Sequence, residues 1–530
     1  MKQDRTQLDR LTREFMEQHP GGCAVKVASR GQKIYYLATA LLLLLLLKFR
    51  WDYFIFLVTG ILMFWYAAAA FFRGGAALLS WFGRGEEMVS GEEATAIPAE
   101  ELPVYTILLP LYHEANIAEK IVRNMERLDY PPEKLDIKLL LEADDEETRK
   151  ALENAGIPPC CEVIVVPDAP PKTKPRACNF GLERARGEFC VIYDAEDAPE
   201  PDQLRKAVAV FRRDKSGKLL CVQAKLNYFN AKYNLLTRLF TVEYSTYFDL
   251  TLSGYSLFGL PLPLGGTSNH FRTSGLREVG GWDPFNVTED CDLGLRIYER
   301  GYRTRLVNST TYEEANSQLW NWMRQRSRWV KGFIQTHLVH YRNPLRTMKR
   351  LGVYGAFGGF LAVGGSALMM LTNLIFWAVL LLYAGLLLHG SAHGLGFFDQ
   401  VVGPHSIGDG YRGIPLGSLH LRAWPLVYAG PGEDAFWSIF SQIFFAGSLI
   451  MLLANLIFIG IGVAACVKRK YYYLIPAALL MPLYWLLISL AAWKGFWQIF
   501  TKPFYWEKTV HGLTDHTQGD ETPCKNEASL

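Results

Sequence analysis

Residues Phe189–Pro201 read FCVIYDAEDAPEP, and this stretch decides the fold. Its first five residues, Phe189–Tyr193, form an apolar run typical of a strand buried in a parallel sheet. The carboxylates of Asp194, Glu196 and Asp197 follow directly, an arrangement that is costly unless a divalent cation offsets the repulsion. The alternative interpretation is a solvated acidic turn, fixed by Pro199 and Pro201, that binds no cation. The stretch therefore predicts a buried strand that ends in either a cation-binding turn or a plain acidic turn.

Similar apolar runs alternate with helical patterns along the same part of the chain. The runs are Val104–Pro110, Ile137–Leu141 and Glu162–Val166, and the helical segments are Glu114–Leu128, Glu146–Ala155 and Arg176–Arg186. This alternation predicts βαβ units and a doubly wound α/β sheet. Ligands bind such sheets at the carboxyl ends of the strands. His113-Glu114 and Glu142-Asp144-Asp145 fall at such ends, as Asp194 does, so we expect a site at this edge.

The apolar composition indicates a membrane protein with one soluble domain. Half of the 530 residues are hydrophobic, and a helix needs roughly 20 apolar residues to cross a bilayer. Thr372-Asn373 predicts a turn inside the longest apolar run, so we expect about six spans in total. The uncharged runs are Ile34–Leu47, Tyr53–Phe72, Leu351–Leu388, Ala435–Val467 and Tyr471–Trp493.

Basic residues indicate the orientation of these spans. They cluster at Lys26–Lys33 and Arg326–Arg350, before the first and third runs, so both segments and the domain between them should be cytoplasmic. Six spans would put Lys468-Arg469-Lys470 on the opposite side, against the same bias. One late run could instead lie in the interface or re-enter the membrane.

Several function classes are disfavoured. The net charge of +3 is too small to indicate nucleic-acid binding. The nine cysteines lack ligand-like pairing and indicate reduced thiols. No glycine-rich G-x-G-x-x-G fingerprint follows the first strand and no P-loop occurs, which argues against dehydrogenases and ordinary NTPases.

Two further motifs admit a structural and a chemical interpretation. Asn286–Leu295 (NVTEDCDLGL) places Thr288-Glu289-Asp290 before a helical pattern, where Thr288 would cap the helix or Asp290 would act as a general base. Trp320–Trp329 (WNWMRQRSRW) is either a basic amphipathic interface helix or a site where arginine binds phosphate and tryptophan stacks on a sugar.

Taken in order, four motifs resemble the membrane-integrated branch of glycosyltransferase family 2, which includes cellulose, chitin and hyaluronan synthases. Asp144-Asp145 is similar to its nucleotide-binding motif, Asp194-Ala195-Glu196 to its metal-binding DxD, Thr288-Glu289-Asp290 to its TED and Gln325–Trp329 to its QxxRW. The resemblance covers about residues 100–335 and the flanking spans. It implies a Rossmann-like α/β GT-A domain inserted between transmembrane helices.

The resemblance implies a role for individual residues. Asp290 would be the catalytic base, with Glu289 and Thr288 beside it. Glu196 stands where the second Asp of DxD is usual, so the metal ligands would be Asp194 with Glu196 or Asp197. The donor-binding set would be Pro110, Tyr112, Glu114, Asp144, Asp145, Lys174, Arg176, Asn179, Asp194, Gln325, Arg326 and Arg328. The acceptor-binding set would be Gly266, Thr267, Ser268, Asn269, His270 and Trp329.

The same resemblance implies inverting transfer from a UDP-sugar, with Mg²⁺ or Mn²⁺, that extends a β-linked exopolysaccharide processively and passes it across the membrane. Non-processive transfer to a lipid carrier and a non-catalytic membrane receptor or secretion component are the alternatives. The expected location is a bacterial inner or plasma membrane, among membrane lipid, with a cytoplasmic catalytic domain. Regulation or export would fall to separate proteins, because few residues follow Trp493.

The expected organisation has six parts. They are a cytoplasmic segment (1–33), a transmembrane hairpin (34–73), the GT-A domain (102–335), an interfacial basic helix (336–350), about four transmembrane helices with a loop at 389–434 (351–493), and a C-terminal interface segment and tail (494–530).

Overall fold

A computed structural model describes residues 2–82, 85–392, 414–416, 419–421, 427–428, 435–505, 507–509 and 512. Its main sheet has nine strands in the order β1-β9-β7-β8-β5-β2-β3-β4, with β6 paired to β9. Their bounds are Glu86–Glu87 (β1), Tyr105–Leu111 (β2), Leu135–Glu142 (β3), Cys161–Val166 (β4), Phe189–Ile192 (β5), Ala198–Pro199 (β6), Leu219–Tyr228 (β7), Asn269–Arg272 (β8) and Arg303–Glu313 (β9). A small antiparallel sheet consists of Ile414–Leu416 (β10), Leu419–Leu421 (β11) and Val427–Tyr428 (β12).

The helices follow the sequence patterns closely in the soluble part. Their bounds are Lys2–Gln18 (α1), Arg30–Phe49 (α2), Trp51–Trp81 (α3), Gly91–Thr95 (α4), Ala118–Glu126 (α5), Glu146–Ala155 (α6), Lys174–Glu183 (α7), Gln203–Arg213 (α8), Leu235–Thr246 (α9), Ser253–Leu257 (α10), Thr273–Glu278 (α11), Glu289–Glu299 (α12), Leu319–His340 (α13), Pro344–Gly359 (α14), Gly365–Ala392 (α15), Ala435–Lys468 (α16), Ile475–Leu479 (α17) and Met481–Thr501 (α18). Two π-helical turns, Tyr247–Leu252 and Phe360–Gly364, continue α9 and α14.

The sheet is doubly wound but mixed. Strands β2 to β5 are parallel, as their apolar runs predict. Alternate residues of β2 face opposite layers: Ile107 and Leu109 pack in one core with α5, α6 and α8, whereas Leu108 packs with α7 and α12 in another. Strand β8 runs antiparallel to both β5 and β7. The sheet therefore departs from the all-parallel pattern that strand–helix alternation indicates.

Four helices in the described part of the chain are long and apolar enough to cross a membrane. They are Arg30–Phe49, Trp51–Trp81, Pro344–Ala378 and Leu449–Lys468. Helix α15 continues through Thr372-Asn373, so the turn expected there is wrong. Thr372 donates its hydroxyl proton to the Leu368 carbonyl and Asn373 donates to Ser489 Oγ, so neither polar side chain interrupts the helix. Most of the loop expected at 389–434 lies outside the described residues.

The segment expected as one interfacial helix at 336–350 is divided between two helices. Helix α13 ends at His340 and α14 begins at Pro344, with Asn343 capping it through a bond from the Arg346 amide. A second bend follows at Gly352, whose φ of 70° is outside the helical region. The basic residues before the third apolar region therefore lie on α13, on the turn that follows it and on the first part of α14.

The last apolar region is bent and lies along α13. Tyr472–Leu479 and Met481–Thr501 meet at 62°, and they would make a fifth span only if taken together. Trp322 of α13 donates to the Tyr484 hydroxyl at 3.1 Å, and further along Gly495 lies against the Ser327 carbonyl. Beyond α18, Lys331 Nζ donates to the Tyr505 carbonyl at 2.7 Å. Helix α18 thus packs along α13.

Five buried or half-buried charges join the end of α16 to the soluble sheet. Glu86 accepts hydrogen bonds from Lys225 at 2.8 Å and Lys468 at 2.9 Å, and Asp249 pairs with Lys225 at 3.2 Å and contacts Arg469. The Glu86 and Asp249 side chains are only 5% and 2% exposed. Lys468 and Arg469 therefore contact the soluble domain, whereas six full spans would place them on the opposite side of a membrane.

Replacing Asp249 with Asn should destabilise the protein, because it leaves Lys225 and Arg469 buried with one carboxylate fewer. Breaking a buried ion pair typically costs about 3–5 kcal/mol. We expect a Tm several degrees lower for purified protein in detergent. The matched control is Glu146→Gln, which removes an exposed 3.0 Å pair with Arg149 and should leave Tm nearly unchanged. Equal Tm values for the two variants would contradict a structural role for this ion network.

Candidate active site

A cavity of about 560 Å³ opens at the carboxyl edge of the sheet and continues between the apolar helices. Its soluble end is lined by Pro110, Tyr112, Glu142, Lys172, Asp194 and Glu196, and its middle by Gly266, Thr288, Glu289, Asp290, Arg328 and Trp329. Its far end reaches residues of the apolar helices, among them Arg73, Met369, Phe458 and Trp485. The catalytic domain and the apolar helices therefore share one cavity.

The acidic turn after β5 separates its three carboxylates. Asp194 faces the cavity, contacts Lys174 Nζ and is one-third exposed. Glu196 also lines the cavity. Asp197 points inward, where its Oδ2 accepts hydrogen bonds from the Asp194 amide and the Thr267 hydroxyl. Asp197 is thus part of the turn, and Glu196 is the better placed second carboxylate.

The Thr288-Glu289-Asp290 motif sits at the first turn of α12. Thr288 occupies the cap position, but its side chain makes no capping bond to the helix; instead its amide donates to Asn286 Oδ1 at 3.0 Å. Asp290 Oδ1 accepts from the Cys291 amide at 2.7 Å, and a Cβ on Gly266 would lie 3.4 Å from Asp290 Oδ2. The acceptor-side loop and the proposed base therefore meet in the cavity.

Burial changes the acidity of both carboxylates in this motif. It raises the pKa of Asp290 to about 6, although the Cys291 amide and the Lys174 charge oppose the shift. Burial, together with the neighbouring Asp290 charge, raises the pKa of Glu289 to about 8. At neutral pH Asp290 is the carboxylate that can accept a proton, and Glu289 is largely protonated.

The two arginines of the Gln325–Trp329 motif have different partners. Arg326 pairs with Glu243 of α9 through both terminal nitrogens and reaches the Tyr484 hydroxyl at 3.2 Å. Arg328 instead experiences the charges of Glu289, Asp194 and Asp290. Arg326 lines the cavity and ties α13 to α9 and α18, and Arg328 is the arginine that experiences the charges of the motif's carboxylates.

Trp329 lies in the cavity wall within an aromatic group. Its ring centroid is 6.1 Å from those of Phe240 and Tyr244, and the Arg326 guanidinium lies 4.6 Å from the Trp329 centroid. This packing fixes the indole plane, as a surface for an acceptor sugar requires.

Several residues expected to bind the donor instead support those that line the cavity. Asp145 caps α6 through the Thr148 amide and also accepts from the His113 amide. The other supporting contacts are Asp144 with Lys172 at 2.5 Å, Arg176 with Glu142 at 3.1 Å, and Asn179 with the Trp282 backbone at 2.7 and 2.9 Å. Lys172 thus lines the cavity in place of its partner Asp144, and Glu142 lines it in place of its partner Arg176.

The predicted acceptor loop is only partly a cavity wall. Gly266 and Thr267 line the cavity, whereas Ser268, Asn269 and His270 enter β8 and are almost fully buried. His270 bonds to the Tyr105 hydroxyl at 2.7 Å, and burial lowers the pKa of its imidazole to about 3. An acceptor role for Ser268, Asn269 and His270 is therefore corrected to a core role.

Other cavity residues lacked a motif in the sequence. Glu313 ends β9 in the cavity wall, where burial raises the pKa of its carboxyl well above the ordinary value. Lys508 donates to the carbonyls of Tyr112 and His113 and pairs with Glu114 at 3.4 Å. Arg73 comes from the apolar helix α3. Of these three residues, only Arg73 had a signal in the sequence: it is a charged residue with apolar neighbours, which marks a candidate functional site.

No group of three or more His, Cys, Asp or Glu side chains in the described part of the chain is arranged to hold a metal ion by itself. The cavity nevertheless brings Asp194, Glu196, Glu289, Asp290 and Glu313 together with Lys174 and Arg328. Carboxylates and cations at the carboxyl edge of an α/β sheet define a site for a charged substrate.

The sequence matches known families in this region. The profile "Glycosyl transferase family 2" matches residues 106–259, and "Glycosyl transferase family group 2" matches residues 189–392. Both stretches are thus similar to family 2 glycosyltransferase domains, and the matches support a transferase enzyme.

Similar proteins carry related names. "Probable glycosyltransferase YdaM" of Bacillus subtilis (strain 168) is 28% identical over 236 residues, which are 44% of this chain and 56% of that protein. "Probable glucomannan 4-beta-mannosyltransferase 14" of Arabidopsis thaliana is 26% identical over 295 residues, or 52% of this chain and 54% of that protein. The chain spans about half the length of these curated relatives.

Solved structures show distant likeness. A mannosyltransferase from Pyrobaculum calidifontis, in complex with GDP-Man and Mn²⁺, has a TM-score of 0.41 and 18% identity, covering 77% of this chain and 99% of that one. Residues 1–349 of TarS from S. aureus, in complex with UDP-GlcNAc, have a TM-score of 0.30 and 12% identity, covering 50% and 80%.

The two arginines of α13 should respond differently to replacement by Met. Arg326→Met should lower Tm, because it leaves the Glu243 carboxylate without its cation. Arg328→Met should keep Tm and lower the rate of sugar transfer about 10²–10³-fold, the usual cost of removing a donor to developing negative charge. Thermal unfolding and initial rates measured on the same preparations check this, and the reverse pattern would contradict the assignment.

Proposed function

We propose that this protein is an inverting glycosyltransferase that moves a sugar from a nucleoside diphosphate to a glycan acceptor inside the cavity. One observation carries the proposal: Asp290, Asp194 and Arg328 face a single cavity at the carboxyl edge of a doubly wound sheet. They supply a base, a carboxylate for a cation and a guanidinium for phosphate, as a GT-A enzyme requires.

The reaction is a single displacement. Asp290 takes the proton of an acceptor hydroxyl, whose oxygen forms a bond to the anomeric carbon as the bond to the diphosphate oxygen breaks. Arg328 and Lys174 offset the negative charge that accumulates on the leaving diphosphate. Attack from the face opposite the leaving group inverts the anomeric centre, so an α-linked donor yields a β-linkage.

Asp194 and Glu196 fit a hard divalent cation. Both are oxygen ligands in the cavity wall, and Asp194 already contacts the cationic ammonium group of Lys174. When bound there, Mg²⁺ or Mn²⁺ would add positive charge beside the diphosphate. Asp197 would support the site by fixing the turn through its bonds to Asp194 and Thr267.

The donor is a UDP-sugar or another nucleoside diphosphate sugar. A UDP-sugar follows from the resemblance to the polysaccharide synthases. The relatives named glucomannan 4-beta-mannosyltransferase make a mannosyl donor such as GDP-mannose the competing choice.

The membrane part supports extension of a glycan. The cavity continues from Asp290 past Trp329 to Met370 and Trp485, which offers a lengthening chain a path among the apolar helices. Four spans would make the protein an integral membrane protein, with both ends of the domain on the cytoplasmic side. Processive extension with passage across the membrane is the leading form of the proposal. Single transfer to a lipid carrier is the second, and a non-catalytic receptor or secretion component is the third.

Asp290→Asn should abolish transfer and preserve donor binding, because the amide cannot accept the proton but fills the same space. The assay uses purified protein with Mg²⁺ or Mn²⁺, one radiolabelled UDP-sugar or GDP-mannose at a time, and product sizing. Polymer favours extension, and a single-sugar lipid product favours the carrier alternative.

Glu153→Gln on the exposed face of α6 is the matched control. Retained turnover in Asp290→Asn would sink the assigned base, and no consumption of any donor by the unmodified protein would favour the non-catalytic alternative.

The rate should also depend on pH through Asp290, whose carboxyl must be ionised to accept a proton. With a pKa raised to about 6, kcat/KM should fall about tenfold between about pH 7 and about pH 5, as the ionised fraction falls. An unperturbed aspartate, with a pKa of about 3.9, would leave the rate nearly flat over that range. A flat profile with stable donor binding would show that Asp290 does not titrate as the base.

A further inference from the structure

Arg73 is a cation on an apolar helix, at the far end of the cavity. It comes from the last third of Trp51–Trp81 and lines the cavity wall. Its Nη2 donates to Ser366 Oγ at 2.5 Å, and its guanidinium carbon lies 6.0 Å from the Phe458 ring centroid. Among the described residues, no Asp or Glu forms a salt bridge with Arg73. A charged side chain on a membrane-crossing helix is costly and marks a functional site by default.

Arg73 lies at the level where the catalytic domain gives way to apolar helices. After Arg73, α3 packs on the domain: Ser80 donates to the Leu250 carbonyl. Before Arg73, the same helix packs on other apolar helices, where Tyr66 donates to Asn455 at 2.7 Å. Lipid headgroups of the leaflet on the domain's side would lie at this level, if these helices cross the membrane.

The cavity around Arg73 is built differently from its soluble end. Two π-helical turns, Tyr247–Leu252 and Phe360–Gly364, adjoin it and orient Tyr247 and Ser366 toward the cavity. Such turns are frequent at functional sites. The other lining residues at this end include Met369, Met370, Phe458, Trp485 and Ile488, which suit an alkyl chain. A cation beside an apolar wall matches an amphiphile with an anionic head.

Tyr247 connects this end to the proposed chemistry. Tyr247 lines the same cavity as Asp290 and Arg73, and its side chain experiences the charges of both. The Tyr247 hydroxyl donates to the Pro263 carbonyl at 3.2 Å, which holds the ring in the cavity wall. A sugar ring could thus reach Asp290 while a phosphate attached to it stays near Arg73.

We propose that the acceptor is a sugar carried on a lipid phosphate, and that Arg73 binds the phosphate. This inference rests on the proposed function and names the acceptor of its second form, transfer to a lipid carrier, in which the lipid chain takes the place of the glycan path at this end of the cavity. Arginine suits phosphate because its planar guanidinium donates two parallel hydrogen bonds. Ser366 holds the guanidinium at the cavity wall, and the apolar residues hold the lipid chain.

Equilibrium binding without any donor tests the proposal on the full chain in an uncharged detergent. The probes are radiolabelled dodecyl phosphate and dodecanol, with inorganic phosphate as competitor. Arg73→Gln should weaken dodecyl phosphate binding about tenfold or more, since a hydrogen bond to a charged group is lost. Arg73→Lys should retain part of the affinity. The matched control is Arg50→Gln at the other end of α3, where Arg50 pairs with Asp52 in solvent; it should bind like the unmodified chain.

Three results would overturn the inference. They are unchanged dodecyl phosphate affinity in Arg73→Gln, an equal loss of dodecanol affinity, or competition by inorganic phosphate as strong as that by dodecyl phosphate, which would identify a free-anion site. Arg73→Lys shows whether a loss in Arg73→Gln reflects misfolding. Repeating the measurement in Asp290→Asn separates the two proposals, because binding to Arg73 does not require turnover.

Discussion

The structure depends on the concentration of carboxylates in one cavity. Asp194, Glu196, Glu289, Asp290 and Glu313 line it, and Lys174 and Arg328 are the cations that act on them there. Like charges held close in a buried site raise one another's pKa. Under the proposed function, a divalent cation arriving with a nucleoside diphosphate would offset the carboxylates that stay ionised. Burial raises the pKa of Asp290 to about 6, so this carboxyl is mostly ionised above about that pH.

Helix α13 makes the cavity a joint product of the catalytic domain and the apolar helices. On one side it presents Arg328 and Trp329 to the cavity, and on the other it contacts α18 through Trp322 and the segment after α18 through Lys331. The buried Arg326–Glu243 pair holds α9 against it. Arg328 is thus positioned by helices from the apolar part of the chain, and detachment of those helices would disturb the cavity.

Local pattern was sufficient for much of the fold. The apolar runs of β2 to β5 and the helix at Glu146–Ala155 follow from periodicity, because burial on both faces requires unbroken hydrophobic strands. Asp194 was predictable because it follows strand β5 at the carboxyl edge of the sheet. Asp290 was predictable because it lies in the first turn of a helix, α12. The inward positions of Asp197 and His270 and the pairing of Arg326 with Glu243 were not predictable, since side-chain direction depends on turn geometry, strand pairing and distant partners. The helix through Thr372 and the side on which Lys468 lies likewise depend on contacts from far along the chain.

The anomeric configuration of the product tests the central claim most directly. With an α-linked nucleotide sugar and a defined acceptor, the one-bond carbon–proton coupling at the new anomeric centre distinguishes the two linkages by NMR. Single displacement with Asp290 as base predicts a β-linked product from the first turnover. An α-linked product would mean that the configuration is retained, and would contradict the mechanism assigned to this cavity.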